Sequence, residues 1–183
     1  MQKRISRNAA CTICNGWVHL CLSFPYDGIF RRAVLNFKFQ NCGAYAELLS
    51  HEMVRSIKDV YRDREFDLVT CVPMHKDTLR KRGYNQAELL ARECARLLGI
   101  EYADLLVKTK KNKTQHSIKA AERAKNVIGV YSPIDKNLIK GKRILIIDDI
   151  ITTGSTLGEC ARILNKCKCG EICCCTLCTS LLI

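Results

Sequence analysis

Residues 144–156 read Ile-Leu-Ile-Ile-Asp-Asp-Ile-Ile-Thr-Thr-Gly-Ser-Thr, and this stretch decides the fold. Ile144 to Ile147 form a short aliphatic run of the kind that makes a buried strand. Asp148 and Asp149 follow where that strand is expected to end, and Thr152, Thr153, Gly154, Ser155 and Thr156 lead into a helical pattern. Backbone N–H groups of such a small-residue turn, its hydroxyls and the positive end of the helix dipole can converge on one phosphate. The adjacent carboxylates can accept hydrogen bonds from sugar hydroxyls, or hold a divalent cation directly or through water.

Strand and helix patterns alternate on both sides of this unit. Apolar residues at Ala46, Leu49, Met53, Ile57 and Val60 keep helical spacing from Ala44 to Tyr61. Phe66 to Pro73 predicts the first strand of a parallel sheet. Asn85 to Leu98 predicts a helix, opened by Asn85 with Glu88 at capping distance and closed by Gly99. Tyr102 to Thr109 predicts a short strand, Lys108 to Gln115 a mobile polar loop, Ile118 to Lys125 a helix and Asn126 to Tyr131 another strand. Pro133 to Lys142 connects to the signature strand, and Leu157, Ala161 and Leu164 mark one face of its helix. Ile172 to Leu182, with Cys173, Cys174, Cys175 and Cys178, predicts a late buried strand. Cysteine there packs as a small hydrophobe, with a metal cluster as the alternative. The expected class is α/β, a mostly parallel sheet flanked by helices, with ligands beyond the carboxyl ends of its strands.

The chain has 183 residues, enough for one domain with a real core. Its hydrophobic content of 48% and charged content of 26% fit a soluble globular protein, and no apolar run suits a membrane helix. With no convincing signal peptide, a cytoplasmic location is expected. Thirteen cysteines then suit a reducing compartment and thiols rather than disulfides.

The net charge of +12 is clustered. Lys76, Arg80, Lys81 and Arg82 form one group; Lys108, Lys110, Lys111, Lys113, Lys119, Arg123 and Lys125 a second; Lys136, Lys140, Lys142 and Arg143 a third. Such clusters suit a polyanionic small molecule, a nucleic acid, or both. Aromatic residues make up only 7% and do not interleave with the basic runs, so stacking platforms for single-stranded DNA are not part of the pattern.

At every position, residues 144–156 resemble the 5-phosphoribosyl-1-pyrophosphate (PRPP) signature of type I phosphoribosyltransferases. Three more blocks are similar to one branch, the competence-associated ComF-like proteins. They are Tyr26-Asp27-Gly28 with Phe37-Lys38-Phe39; Val72-Pro73-Met74-His75 with Arg80-Lys81-Arg82-Gly83-Tyr84-Asn85-Gln86; and Thr114-Gln115, Arg123 and Asn126-Val127. The resemblance implies a type I phosphoribosyltransferase-like domain over residues 26–183, with a hood at 26–65 and an α/β core at 66–183. Residues 1–25 are expected to be a degenerate cysteine-knuckle segment. The family's four-cysteine finger is reduced here to the pair Cys11 and Cys14, a remnant of a zinc site to which Cys21 and Cys42 are possible further ligands.

The resemblance also implies roles. Asp148 and Asp149 meet the ribose hydroxyls, directly or through metal-bound water, and Thr152 to Thr156 hold the 5-phosphate. Pro73, Met74, His75 and Lys76 form a pyrophosphate loop with Arg80 and Arg82 nearby, and Arg82 with Gln86 can alternatively stabilise their own turn. Lys110, Lys111, Lys113 and Gln115 belong to the loop that closes over the reacting centre, and Mg²⁺ assists with the pyrophosphate. The expected ligand is PRPP or a ribose 5-phosphate nucleotide. The expected activity is transfer of phosphoribosyl to a nitrogenous acceptor, with a non-catalytic sensor or a single-stranded-DNA-handling factor as alternatives.

Overall fold

The computed structural model describes residues 7–10, 19–39, 44–110 and 127–180. The chain order is β1 (Arg7–Ala10), β2 (His19–Pro25), α1 (Gly28–Phe39), α2 (Ala44–Val60), β3 (Leu68–Cys71), α3 (Lys76–Arg82) and α4 (Gln86–Leu98). Then follow β4 (Glu101–Tyr102), β5 (Leu106–Lys108), β6 (Tyr131–Pro133), α5 (Lys136–Ile139), β7 (Arg143–Ile151), α6 (Ser155–Lys166) and β8 (Glu171–Thr179). Six strands form one sheet in the order β1-β2-β8-β7-β3-β4. Five run parallel, and β1 is antiparallel at the edge. This is the α/β architecture that the alternating pattern predicts.

The sheet is apolar on both faces, so its central strands read as unbroken aliphatic and cysteine runs. Alternate side chains go to opposite faces. Ile144, Ile146, Ile172 and Cys174 pack on the side of α6 and the β5–β6 pair, with Leu157, Ala161 and Leu164. Leu145, Ile147, Cys173, Cys175 and Leu177 pack on the side of α1, α2 and α4, against Phe37, Met53 and Leu90. Cys173, Cys174, Cys175 and Cys178 are all fully buried. The described residues contain no cluster of three or more His, Cys, Asp or Glu side chains placed to hold a metal.

Several boundaries differ from the pattern reading. Residues 19–25, assigned to the knuckle segment, form β2 inside the main sheet, and Cys21 lies fully buried in the core. The register with β8 makes them a strand of the sheet. The single strand expected over Tyr102 to Thr109 is broken into β4 and β5, which join different sheets. The strand expected at Asn126 to Tyr131 instead covers Tyr131–Pro133, after a turn from Val127. The loop after β3 winds into α3, and the connector before β7 contains α5. The expected helix at Ile118 to Lys125 lies outside the described residues, as do Cys11, Cys14 and Cys42.

At the end of the sheet opposite the acids, the chain is crowded. A Cβ at Gly170 would lie 2.7 Å from the Gly141 carbonyl oxygen, and Gly170 N–H donates to Lys142 O at 2.8 Å. Backbone cannot retreat there without breaking the entry to β7 and β8. Gly170→Ala is expected to destabilise the protein by about 1–3 kcal/mol, the usual cost of overpacking, read as a lowered denaturant midpoint with unchanged slope.

No helix among the described residues is long and apolar enough to cross a membrane.

Candidate functional site

The two acids owe their position to a mismatch in strand length. β3 pairs with β7 only as far as Cys71 opposite Ile147, with one further bond from Val72 N–H to Ile147 O at 3.1 Å. β7 continues beside β8 to Ile151, opposite Thr179. Asp148 and Asp149 therefore lie within the strand rather than after it, at the point where β3 has turned away. That departure opens a cleft of about 290 Å³. Its walls include Pro73, Met74, His75 and Arg82 after β3, Asp148 and Asp149 on β7, and Thr156 on α6. Lys38 of α1, Lys108 of β5 and Tyr131 of β6 complete its charged and aromatic lining.

The carboxylates are unequal. Asp148 Oδ1 accepts Asp149 N–H at 2.8 Å, and Asp149 Oδ1 accepts Ile150 N–H at 2.8 Å. Burial, and then the neighbouring charge of Asp149, push the Asp148 carboxyl well above the ordinary carboxylate range. Asp149 instead holds an ion pair, its Oδ2 2.8 Å from Lys38 Nζ. Across the cleft, burial lowers the pKa of half-buried Lys108, whose ammonium lies 5.5 Å from the centre of the Tyr131 ring. The site thus offers one carboxyl biased towards its neutral form, one paired carboxylate and at least two lysines.

The loop Thr152 to Ser155 is built as a turn into α6. Gly154 takes φ 73° as the residue before the helix, and Thr153 Oγ1 lies 2.9 Å from Ser155 Oγ. A side chain at this backbone angle strains the turn, so Gly154→Ala is expected to cost about 1–2 kcal/mol, checked by thermal melting. Thr156 reaches the cleft wall, and Thr152 to Ser155 lie beyond it.

The Arg-Gly-Tyr-Asn-Gln run explains how α1 is held over the cleft. Tyr84 OH donates to Phe37 O, and Gln86 Nε2 donates to Lys38 O at 3.5 Å. Asn85 Nδ2 donates to Val72 O at 3.1 Å, while its Oδ1 caps α4 by accepting Ala87 N–H at 3.2 Å. Arg82 Nη1 donates to Gln86 Oε1 at 2.8 Å, so this pair does stabilise its own turn while Arg82 still lines the cleft. His75 caps α3, its Nδ1 accepting Asp77 N–H at 3.3 Å.

Among the residues singled out from sequence, Pro73, Met74, His75, Arg82, Asp148, Asp149 and Thr156 meet in one cleft. Lys76 and Arg80 are not part of its lining, and Lys110 is exposed outside it. Lys111, Lys113 and Gln115 lie outside the described residues. The sequence assigns no ligand role to Lys38 or Tyr131, and it places Lys108 at the start of the loop expected to close over the reacting centre, whereas Lys108 ends β5 and lines the cleft itself. For Lys38 the one local signal is a cation between Phe37 and Phe39 near the end of an amphipathic helix.

Comparison with known proteins agrees with this fold. Residues 84–181 match the phosphoribosyl transferase domain family, a stretch covering more than half of the chain. The chain belongs to that family. Among curated relatives, Competence protein F of Haemophilus influenzae is 33% identical over 144 residues, covering 76% of this chain and 63% of that protein. Competence protein ComFC of Bacillus subtilis is 30% identical over 150 residues, covering 81% of this chain and 59% of that protein. The match therefore spans less than two thirds of either relative. The competence-associated resemblance read from the sequence blocks is borne out by these two proteins. The APRTase of Giardia lamblia, solved with 9-deazaadenine, superposes with a TM-score of 0.50 at 14% identity over 78% of this chain and 85% of that one. At that identity the likeness speaks for the phosphoribosyltransferase fold alone.

Proposed function

We propose that the cleft binds PRPP, or a ribose 5-phosphate nucleotide of the same outline, and that the protein transfers the phosphoribosyl group to a nitrogenous acceptor. The observation that carries this is the pair Asp148 and Asp149 opening onto one cleft with Lys38, His75, Arg82 and Lys108. Carboxylates suit the ribose hydroxyls, and Lys38, Arg82 and Lys108 suit the pyrophosphate. The bond from the anomeric carbon to the pyrophosphate oxygen breaks as a bond to the acceptor nitrogen forms, and the acceptor nitrogen sheds its proton. Positive charge develops on the sugar and negative charge on the leaving group, so fixed charges and exclusion of water supply the catalysis.

The donor set fits Mg²⁺. Two adjacent carboxylates, with no third His, Cys, Asp or Glu grouped with them among the described residues, suit an ion that keeps waters and takes its other oxygens from substrate phosphates. Asp148 and Asp149 would hold it, and it would neutralise charge on the pyrophosphate. The test is calorimetry with PRPP and Mg²⁺, followed by pyrophosphate release across a panel of purine, pyrimidine and related acceptors. Binding with turnover supports the transferase. Binding without turnover on any acceptor points to a sensor, and no binding refutes the reading.

The names of the relatives, which include the DNA utilization protein YhgH of Escherichia coli at 25% identity over 154 residues, favour a second role in handling DNA. The net charge of +12 supports it. A phosphate-tracking surface binds single-stranded DNA with little sequence preference and weakens steeply with salt. Absence of binding at low salt would remove this role.

A further inference from the structure

We propose that Lys38 is a ligand-binding residue that exchanges partners: paired with Asp149 in the structure described, it passes to the pyrophosphate when the sugar polyphosphate arrives. The inference rests on the PRPP reading of the cleft. Four observations carry it.

The Lys38 ammonium already lies in the cleft wall, 2.8 Å from the carboxylate expected to meet the ribose. Its backbone is fixed, because the carbonyls of Phe37 and Lys38 accept hydrogen bonds from Tyr84 and Gln86. A fixed backbone beneath a flexible four-carbon stem lets the ammonium move between neighbouring anions without moving the helix. Gln86 also links that backbone to Arg82, a second cation of the same cleft lining that an incoming polyanion would meet.

Charge then forces the exchange. Side-chain exposure at Lys38 and Asp149 is only 21% and 14%, so neither charge is well solvated and each needs a partner. When the ribose hydroxyls or a divalent cation take the Asp149 oxygens, the ammonium loses its counterion. The pyrophosphate is the nearest replacement that the proposed ligand brings. While it stands, the pair screens a carboxylate that would otherwise repel an incoming polyanion.

The test is a double-mutant cycle on PRPP binding with Mg²⁺, using wild type, Lys38→Met, Asp149→Asn and the double variant, each confirmed folded by circular dichroism. Asp149→Asn keeps one of the two carboxylates, so its affinity stays measurable. Lys38→Met is expected to weaken PRPP tenfold or more in both backgrounds, while ribose 5-phosphate, which lacks the pyrophosphate, changes less than threefold. Lys38→Arg is expected to restore part of the loss. A loss confined to the Asp149-containing background means that Lys38 only neutralises the carboxylate, and overturns the exchange. So does equal weakening of PRPP and ribose 5-phosphate. If wild type itself fails to bind PRPP, both the exchange and the PRPP reading fall, a result distinct from binding that ignores Lys38.

Discussion

Replacing both acids, Asp148→Asn with Asp149→Asn, is expected to weaken PRPP binding at least a hundredfold while leaving a folded protein. Each carboxylate accepting a sugar hydroxyl or serving a cation makes a charge-assisted contact, roughly twice as strong as a neutral one. Amides cannot serve the cation in the same way. The structure gives the two acids no comparable part in folding. Asp148 accepts the N–H of its neighbour at 2.8 Å, a bond that the amide oxygen of the substituted side chain can still accept, and the ion pair of Asp149 with Lys38 lies at the cleft wall. Calorimetry on a variant with native circular dichroism checks the prediction, and unchanged affinity would sink the site assignment.

The single variant Asp148→Asn adds a pH signature. Burial and the charge of Asp149 raise the Asp148 carboxyl above its value in the unfolded chain, near 3.9 for an ordinary Asp. A raised folded pKa means that the native state prefers the proton. Below the unfolded value both states are protonated and the carboxyl costs nothing. As pH climbs past it, the unfolded chain ionises first and gains relative stability, until Asp148 ionises in the native state as well. Asparagine never ionises, so Asp148→Asn is expected to melt higher than wild type at pH 7 and to lose that advantage near pH 3. A variant less stable at pH 7 would show that the carboxylate has a structural role. A site residue whose removal stabilises the fold is the usual mark of a position kept for function.

Much of this was legible because it depends on local pattern. The aliphatic run Ile144 to Ile147, the acids and the small-residue turn occur in sequence order, and the fold keeps them adjacent. The caps Asn85 and Gly99 follow from backbone chemistry and fall where expected. What sequence did not reveal depends on contacts distant along the chain. β2 is a strand because β8, some 150 residues later, offers it a register. Lys38 enters the site because Tyr84 and Gln86 pull α1 over the cleft, and Lys108 because β5 leaves the main sheet to pair with β6. Local sequence marks Lys38 only as a cation between two phenylalanines and Lys108 only as one of a basic cluster, and neither mark says that the side chain enters a cleft. The Arg-Gly-Tyr-Asn-Gln run has the converse lesson: a family motif with Arg82 expected beside a pyrophosphate loop also straps α1 in place through Tyr84 and Gln86, while Arg82, Asn85 and Gln86 line the cleft.

Phe37→Ala tests how far that strap depends on packing, and is expected to cost about 3–5 kcal/mol, the range for deleting a buried aromatic. Phe37 is fully buried among the residues that pack α1, α2 and α4 onto the sheet, with its ring tilted against Tyr84 at 6.2 Å between centroids. Truncation leaves a void beneath the last turn of α1 and loosens the carbonyl that Tyr84 OH reaches. The next residue is Lys38, so a stability defect here should reach the cleft. In protein still folded at low temperature, PRPP affinity is expected to fall by an amount similar to that of Lys38→Met, although Phe37 lies outside the cleft lining. Tyr84→Phe separates the two contributions, since it keeps the ring contact and removes only the hydroxyl. Its expected cost is about 1 kcal/mol, that of one hydrogen bond, with a correspondingly smaller loss of affinity. Denaturant titration gives the first quantity and calorimetry the second. If Phe37→Ala lost the full stability and kept wild-type affinity, Lys38 would not depend on the docking of α1, and the strap would be a device of folding alone.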